Sequence, residues 1–170
     1  MKTNLTDVLC TRCGLCCDGS LFADVELAGT DEAVALEVMG LEIEDGEGDD
    51  ELLLQPCAAL EGKRCSIYVH RPECCRSFEC RLLQEVQRGA VSEGRAHEKI
   101  TEALRRIGRV TELINQLGGT PGRLSLKERC AEALATSGEG RVDSARDRKR
   151  SELEAAMAGV ERLIRESFLA

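Results

Sequence analysis

Apolar residues recur every three or four positions through the second half of the chain. The clearest run stops at Gly118-Gly119 and predicts an amphipathic helix over about 95–117. Its apolar face consists of Ile100, Leu104, Ile107, Val110, Ile114 and Leu117. One side of this helix is therefore expected to be buried.

Two further helices are predicted after it. Ser125 and Glu128 have the spacing of a capping box and predict a helix over about 125–136. Another apolar stripe predicts a helix over about 147–168. This stripe contains Leu153, Met157, Val160, Ile164 and Phe168. Such faces bury one another in a small bundle, or dock on the rest of the chain or on a partner protein.

The first half has shorter patterns. Polar and apolar residues alternate over 21–27, which predicts a strand. Thr30 has the position of a cap for a short helix that ends before Gly40. The segments 41–43 and 52–54 predict a hairpin around an acidic loop.

Pro72 predicts the first turn of another helix, because its fixed φ suits that position and its missing N–H costs nothing there. A continuous helix from Pro72 would carry Cys75, Cys80 and Val86. Cys75 and Cys80 would then enter or line that helix.

The cysteines divide the chain. The 170 residues contain ten, of which nine lie between Cys10 and Cys80, and one, Cys130, lies beyond them. This uneven distribution of cysteines predicts a cysteine-rich domain at 1–88 and a helical region at 89–170. Three Phe, one Tyr and no Trp make a large core unexpected in the first part.

Charge and the start of the chain limit the classes of function. No early apolar run has the length of a signal-peptide core, and none approaches a membrane-spanning helix, so we expect a cytoplasmic protein without membrane contact. In a reducing compartment, thiolate metal ligation is favoured over a disulfide framework. The net charge of -8 disfavours binding to nucleic acid, which is a polyanion.

Four cysteines form a CxxCxxCC run, namely Cys10, Cys13, Cys16 and Cys17. Two-residue spacing lets a tight turn bring successive sulfurs around one centre, and Gly14 relaxes the backbone there. Side chains of adjacent residues diverge, so Cys16 and Cys17 are not expected to bind the same ion. The run by itself indicates a metal site.

A second set of cysteines is spread more widely, so the fold must gather its thiols. It comprises Cys57, Cys65, Cys74, Cys75 and Cys80. Crowded thiolates leave net negative charge around a metal centre, and nearby cations would offset it. The sequence interleaves Arg12, Lys63, Arg64, Arg71, Arg76 and Arg81 with the cysteines. We expect Arg71 and Arg76 to support the metal-bound thiolates as donors, although surface charge alone would account for any single cation.

A longer motif carries a family resemblance. The CxxCxxCC run is followed by Pro56-Cys57 and by C-x-I-Y-x-x-R-P-x-x-C-R-x-F-x-C, which ends at Cys80. This pattern resembles the zinc- or iron-chelating CxxCxxCC domain of the YkgJ-like cysteine-cluster proteins. The resemblance implies eight metal ligands, Cys10, Cys13, Cys16, Cys17, Cys57, Cys65, Cys75 and Cys80. Cys74 is an extra cysteine beside Cys75, so which of the two ligates is open, and the register of the motif favours Cys75. Cys130 also falls outside the pattern, and its place on an apolar helix face predicts a small buried hydrophobe.

The type of ligand atom limits which metals can bind. Cys-only ligation excludes Mg and Ca and favours an iron–sulfur cluster or zinc. The CxxCxxC spacing is typical of bacterial cluster-binding runs, whereas structural zinc more often uses two separate CxxC knuckles. An iron–sulfur centre is thus the first choice and zinc the second, with copper or no metal left open. Eight thiols can form two four-ligand sites, or one cluster plus structural thiols.

Together these patterns predict an α+β fold, with a small metal-stapled cysteine-rich N-terminal domain followed by a helical C-terminal region. Three functions fit it: a metal-stabilised structural or interaction protein, an electron carrier, or an accessory or fragment of a protein-modification system. The last follows from the resemblance, because flagellin lysine methylases carry a similar domain. No GxGxxG, P-loop or GxSxG motif is present, so no catalytic residue is predicted and the sequence leaves open whether the chain is an enzyme.

Overall fold

The structure, a computed structural model, describes residues 5–119, 123–135 and 144–169. Within these ranges it has seven α-helices and five short β-strands. The helices are α1 (Leu5–Cys13), α2 (Thr30–Val38), α3 (Glu73–Ser77), α4 (Arg81–Gln87), α5 (Glu93–Gln116), α6 (Leu126–Ala135) and α7 (Ser144–Ser167). The strands are β1 (Asp24–Glu26), β2 (Ile43–Asp45), β3 (Glu51–Leu54), β4 (Leu60–Glu61) and β5 (Arg64–Cys65). This confirms the predicted α+β fold with a cysteine-rich N-terminal region and a helical C-terminal region.

A small antiparallel sheet of order β1-β3-β2 organises the first region. The predicted hairpin is present, with Ile43 of β2 opposite Leu53 of β3. On the other side of β3, Val25 of β1 is also opposite Leu53, which is 1% exposed. The sheet and α2 enclose a core cluster of Leu27, Ala33, Leu36, Leu41, Leu53 and Ala59. Most of these are small or medium-sized side chains, so this core is thin.

The start of α2 differs from the prediction. Thr30 is the first residue of the helix, and the capping position falls on Gly29, which makes no side-chain hydrogen bond. The Glu32 carboxylate instead fixes the chain that enters the helix, since it accepts a hydrogen bond from the Ala28 N–H at 3.0 Å. The same carboxylate accepts from the Glu73 N–H at 2.9 Å, so Glu32 also ties α2 to the start of α3.

The single helix predicted from Pro72 onward is wrong, because the chain forms two helices, α3 and α4. Pro72 precedes α3 as its cap, and extended backbone at Phe78 and Cys80 separates the two helices. The Cys80 Sγ accepts a hydrogen bond from the Leu83 N–H at 3.4 Å, so a thiol caps α4. The Phe78 ring packs edge-on against the Phe22 ring, with 5.2 Å between the ring centroids. This contact stabilises the break between α3 and α4.

Helices α5, α6 and α7 pack around a second core cluster, with the largest contact between α5 and α7. The Ser92 Oγ begins α5 by accepting a hydrogen bond from the Arg95 N–H. The helix ends where predicted, since Gly118 takes a positive φ of 87° that favours glycine. Residues 136–143, which include the predicted last residue of the middle helix, lie outside the described residues.

The predicted capping box at the start of α6 is confirmed. The Glu128 carboxylate accepts hydrogen bonds from the N–H and the hydroxyl of Ser125, and the Ser125 Oγ accepts one from the Glu128 N–H. The Leu126 N–H donates to the Gly19 carbonyl at 2.9 Å. This joins the helical region to the loop that follows the CxxCxxCC run.

Replacing Ser125 with Ala should lower the free energy of unfolding by roughly 0.5–2 kcal/mol, because a buried cap is lost. Urea unfolding measures the change. Ser151→Ala on the exposed face of α7 is the control and should change stability by less than about 0.5 kcal/mol. Equal effects at the two positions would contradict the role of the capping box.

A third core cluster joins the two regions. It contains Leu9, Leu15, Leu82, Leu83, Val86, Ala96, Ile100, Ala103 and Phe168. These residues come from α1 and the turn after it, from α4 and α5, and from Phe168 after α7, so both regions share this core. Among the described residues, no helix combines the length and apolar character needed to cross a membrane.

Candidate metal centre

The CxxCxxCC run begins in a helix and ends in a turn. Cys10 and Cys13 lie three residues apart at the end of α1, a spacing that places both on one side of the helix. The chain then turns at Gly14, whose φ of 74° favours glycine, and the Cys17 N–H donates to the Gly14 carbonyl at 3.0 Å. The predicted tight turn thus holds only for the second half of the run, which contains Cys16 and Cys17.

The other cysteines reach the same place from separate elements. Cys57 follows β3, and its N–H donates to the Cys17 carbonyl at 2.8 Å. Cys65 ends β5 opposite Leu60, while Cys80 caps α4. Helix α3 carries the remaining two, Cys74 and Cys75.

These elements enclose one cavity of about 850 Å³. Nine of the ten cysteines line it, namely Cys10, Cys13, Cys16, Cys17, Cys57, Cys65, Cys74, Cys75 and Cys80. All are half-buried free thiols. Cysteines that are up to seventy residues apart in the sequence therefore meet at a single place in the fold.

All eight cysteines predicted as ligands are among the lining residues, and their ligand role stays a prediction. Cys74 lines the cavity as well, although the family pattern leaves it out. Cys130 lies apart from them, 4% exposed in the core of the helical region. Its predicted identity as a small buried hydrophobe is confirmed.

Burial changes the acidity of these thiols. It raises the pKa of Cys10 to about 11 and those of Cys13 and Cys17 to about 12, from an ordinary value of 9.0. Nearby cysteines add to the effect, as Cys80 does at Cys10. Because the thiolate is the form that binds metal, only a positive charge in the cavity would favour the ligating state. Metal binding would then release protons.

Cys74 and Cys75 interact directly. Their Sγ atoms are 3.9 Å apart, within the range of a sulfur hydrogen bond. This contact lowers the pKa of Cys74, whose thiolate it stabilises, and raises the pKa of Cys75, which is also more buried. The two neighbours are therefore chemically unequal.

Basic side chains lie at the cavity wall, as the interleaved sequence suggested. The lining includes Lys63, Arg64, Arg71 and Arg76. The Arg71 guanidinium stacks 3.7 Å from the centre of the Tyr68 ring, and its Nε donates to the Tyr68 carbonyl. The Tyr68 hydroxyl donates to the Asp7 carboxylate at 2.9 Å. This chain of contacts holds Arg71 beside α1, where its charge partly offsets the rise in the pKa of Cys10.

The residues around the cavity fit a thiophilic metal by their chemistry, since thiolates suit zinc or iron–sulfur clusters. As the side chains stand, no three Cys, His, Asp or Glu residues in the described part of the chain are close enough together to hold an ion. A cysteine Sγ turns about one torsion, so it can reorient without backbone movement. Gln55 also lines the cavity, 3% exposed, and its Oε1 lacks a hydrogen-bond partner among the described residues. Buried amide oxygens normally have a hydrogen-bond partner, so the Gln55 Oε1 is an available hydrogen-bond acceptor at the cavity wall.

Sequence reasoning missed several residues of the site. Asp7, Gln55 and Phe168 all line the cavity, although none belongs to a cysteine motif. Asp7 lies on α1, which was not predicted. Phe168 was assigned to a helical stripe, and periodicity alone does not reveal which neighbour such a stripe contacts.

The metal-free chain should lose stability as the pH rises above about 9. Between 9.0 and about 12, the unfolded chain releases thiol protons that folded Cys10, Cys13 and Cys17 still hold. The free energy of unfolding therefore falls with pH across this window, and the stabilisation is fully present only below it. Urea unfolding of reduced, chelator-treated protein between about pH 8 and pH 11 measures the slope. A triple Cys→Ser variant at these positions should be less pH-dependent, and an equal slope would contradict the assignment.

One comparison with known proteins gives a match. A family model described as "CxxCxxCC: Putative zinc- or iron-chelating domain" matches residues 9–104, which is more than half of the chain. The matched segment includes all nine cysteines of the cavity and extends into α5. No curated protein and no solved structure matches the chain.

Proposed function

The chain belongs to the CxxCxxCC family, and on that premise we propose that it is a metal-binding protein that holds an iron–sulfur cluster through cysteine thiolates. The ligands would come from the eight motif cysteines, and a single cluster takes four of them. These are Cys10, Cys13, Cys16, Cys17, Cys57, Cys65, Cys75 and Cys80. Such a cluster supplies one-electron chemistry when bound. Free thiols suit a reducing compartment such as the cytoplasm.

One observation carries the proposal. Nine thiols from α1, the turn after it, the β-strand region, α3 and the cap of α4 line a single cavity. Ordinary packing does not require this, because the chain also buries a lone cysteine, Cys130, in an apolar core. Gathering so many weakly acidic, half-buried thiols serves a ligand that converts them to thiolates.

Two features favour an iron–sulfur cluster over a single zinc ion. The CxxCxxC spacing is that of bacterial cluster-binding runs. A cavity of about 850 Å³ is also much larger than one ion requires. The cations Arg71 and Arg76 at the wall would reduce the cost of a negatively charged cluster.

Zinc in a structural role is the second candidate, and the thin core around the sheet favours it. That cluster has six buried residues, two of which are Ala. Metal binding supplies folding free energy to small domains that cannot bury enough apolar surface. In this case the centre would stabilise the fold without any redox activity.

One experiment distinguishes the iron–sulfur cluster from structural zinc. The full chain is purified without oxygen, and its iron, zinc, inorganic sulfide and visible spectrum are measured. An iron–sulfur protein should contain iron and sulfide and show broad absorbance that dithionite bleaches. Zinc without sulfide would establish the structural alternative. A chain that binds neither after reduction and reconstitution would overturn the proposal.

A further inference from the structure

We propose that the cavity holds two separate thiolate centres rather than one. The first centre would use Cys10, Cys13, Cys16 and Cys80, and the second would use Cys17, Cys57, Cys65 and Cys75. This inference rests on the proposed function and goes beyond it, because it assigns each cysteine to a centre and fixes their number.

The packing of five of these cysteines divides in the same way. Cys10, Cys13 and Cys80 pack against the core cluster that contains Leu9 and Leu82, between the cysteine-bearing helices and α5. Helices α1 and α4 are in direct contact, which brings the end of α1 to the cap of α4. These three thiols therefore form one group on the helical side of the cavity.

Cysteines on the other side pack against the core of the sheet. Cys57, Cys65 and Cys74 contact the cluster that contains Leu53 and Ala59. Cys57 also begins a turn in which its carbonyl accepts the Leu60 N–H at 2.9 Å, and Leu60 is paired with Cys65. Neither core cluster contacts cysteines of the other group.

The run itself splits between Cys16 and Cys17. The Cys57 N–H is hydrogen-bonded to the Cys17 carbonyl, which ties Cys17 to the sheet side. Cys16 directly follows Leu15, which is buried in the cluster that contains Leu9 and Leu82. Adjacent side chains diverge, so the pair is suited to serve two centres.

Cys75 joins the second group through its neighbours. Its Sγ lies 3.9 Å from the Sγ of Cys74, and Cys74 packs against the core of the sheet. A division within one compact run has a chemical precedent, since in two-cluster ferredoxins the fourth cysteine of the run ligates the other cluster. Here the fourth cysteine is Cys17.

Metal content of matched variants tests the partition in the full chain purified without oxygen. The Cys13→Ser/Cys80→Ser and Cys57→Ser/Cys65→Ser variants should each keep about half of the wild-type metal, and the quadruple variant should keep almost none. Cys130→Ser is the control and should keep all of it. If either double variant loses all its metal while its far-UV circular dichroism stays helical, the partition is overturned.

A second measurement needs no variant and so does not depend on whether the variants fold. Titration of the reduced, metal-free wild-type chain with Co²⁺ should saturate the thiolate charge-transfer absorbance at two equivalents. Saturation at one equivalent would overturn the two centres but leave the proposed metal-binding function intact. No absorbance at all would overturn the metal-binding function, and the partition with it.

Discussion

Removal of the bound metal should lower hydrogen-exchange protection across residues 17–77 much more than in α5 and α7. The core around the sheet contains only six buried apolar residues, so the metal centre is expected to contribute folding free energy to this region. The cluster formed by α5, α6 and α7 contains no cavity cysteine and should not respond. Hydrogen exchange with and without a chelator measures both regions in one experiment.

Two substitutions provide the control. Cys13→Ser should lower both the metal content and the thermal stability, because it removes a thiol of the cavity. Cys130→Ser should leave the metal content unchanged, because that residue lies in the helical core. Equal metal loss in the two variants, or protection of 17–77 that survives the chelator, would contradict a structural role for the metal.

Replacing Phe168 with Ala should destabilise the chain by roughly 3–5 kcal/mol and lower Tm by about 10 °C or more. The Phe168 ring is 1% exposed and packs with Leu9 and Leu82, beneath the helices that carry Cys10 and Cys80. Its carbonyl also accepts the Arg81 N–H at 3.0 Å, at the start of α4. Loss of the ring leaves a void directly under the cavity.

Phe78→Ala is the matched control, because the Phe78 ring is 40% exposed and touches the single ring of Phe22. Phe78→Ala should lower the free energy of unfolding clearly less than Phe168→Ala does. Thermal unfolding monitored by circular dichroism compares the two variants. Similar shifts in Tm would mean that the end of α7 does not support the cysteine-bearing helices as the packing indicates.

Sequence periodicity predicted the helical region well because its signals are local. The stripe through Ile100 and Ile114, the stop at Gly118 and the capping box at Ser125 each depend on neighbours within one or two turns. Packing between the regions was not predictable in this way. The place of Phe168 against Leu9 depends on contacts between opposite ends of the chain.

The cysteine-rich region was harder to predict. The hairpin was found from its alternation, but α1 was missed because the CxxCxxCC run was treated as a turn throughout. The break between α3 and α4 depends on the Phe78–Phe22 contact and on a thiol cap at Cys80, neither of which has a local sequence signal. The domain boundary at residue 88 and the ligand roles of the cysteines stay predictions.

X-ray absorption at the metal edge, on protein purified without oxygen, tests the central claim most directly. The account predicts that the metal is surrounded by sulfur alone, with neighbours at about 2.3 Å, because thiolates dominate the cavity wall. A first shell of nitrogen or oxygen at about 2.0–2.1 Å would contradict it.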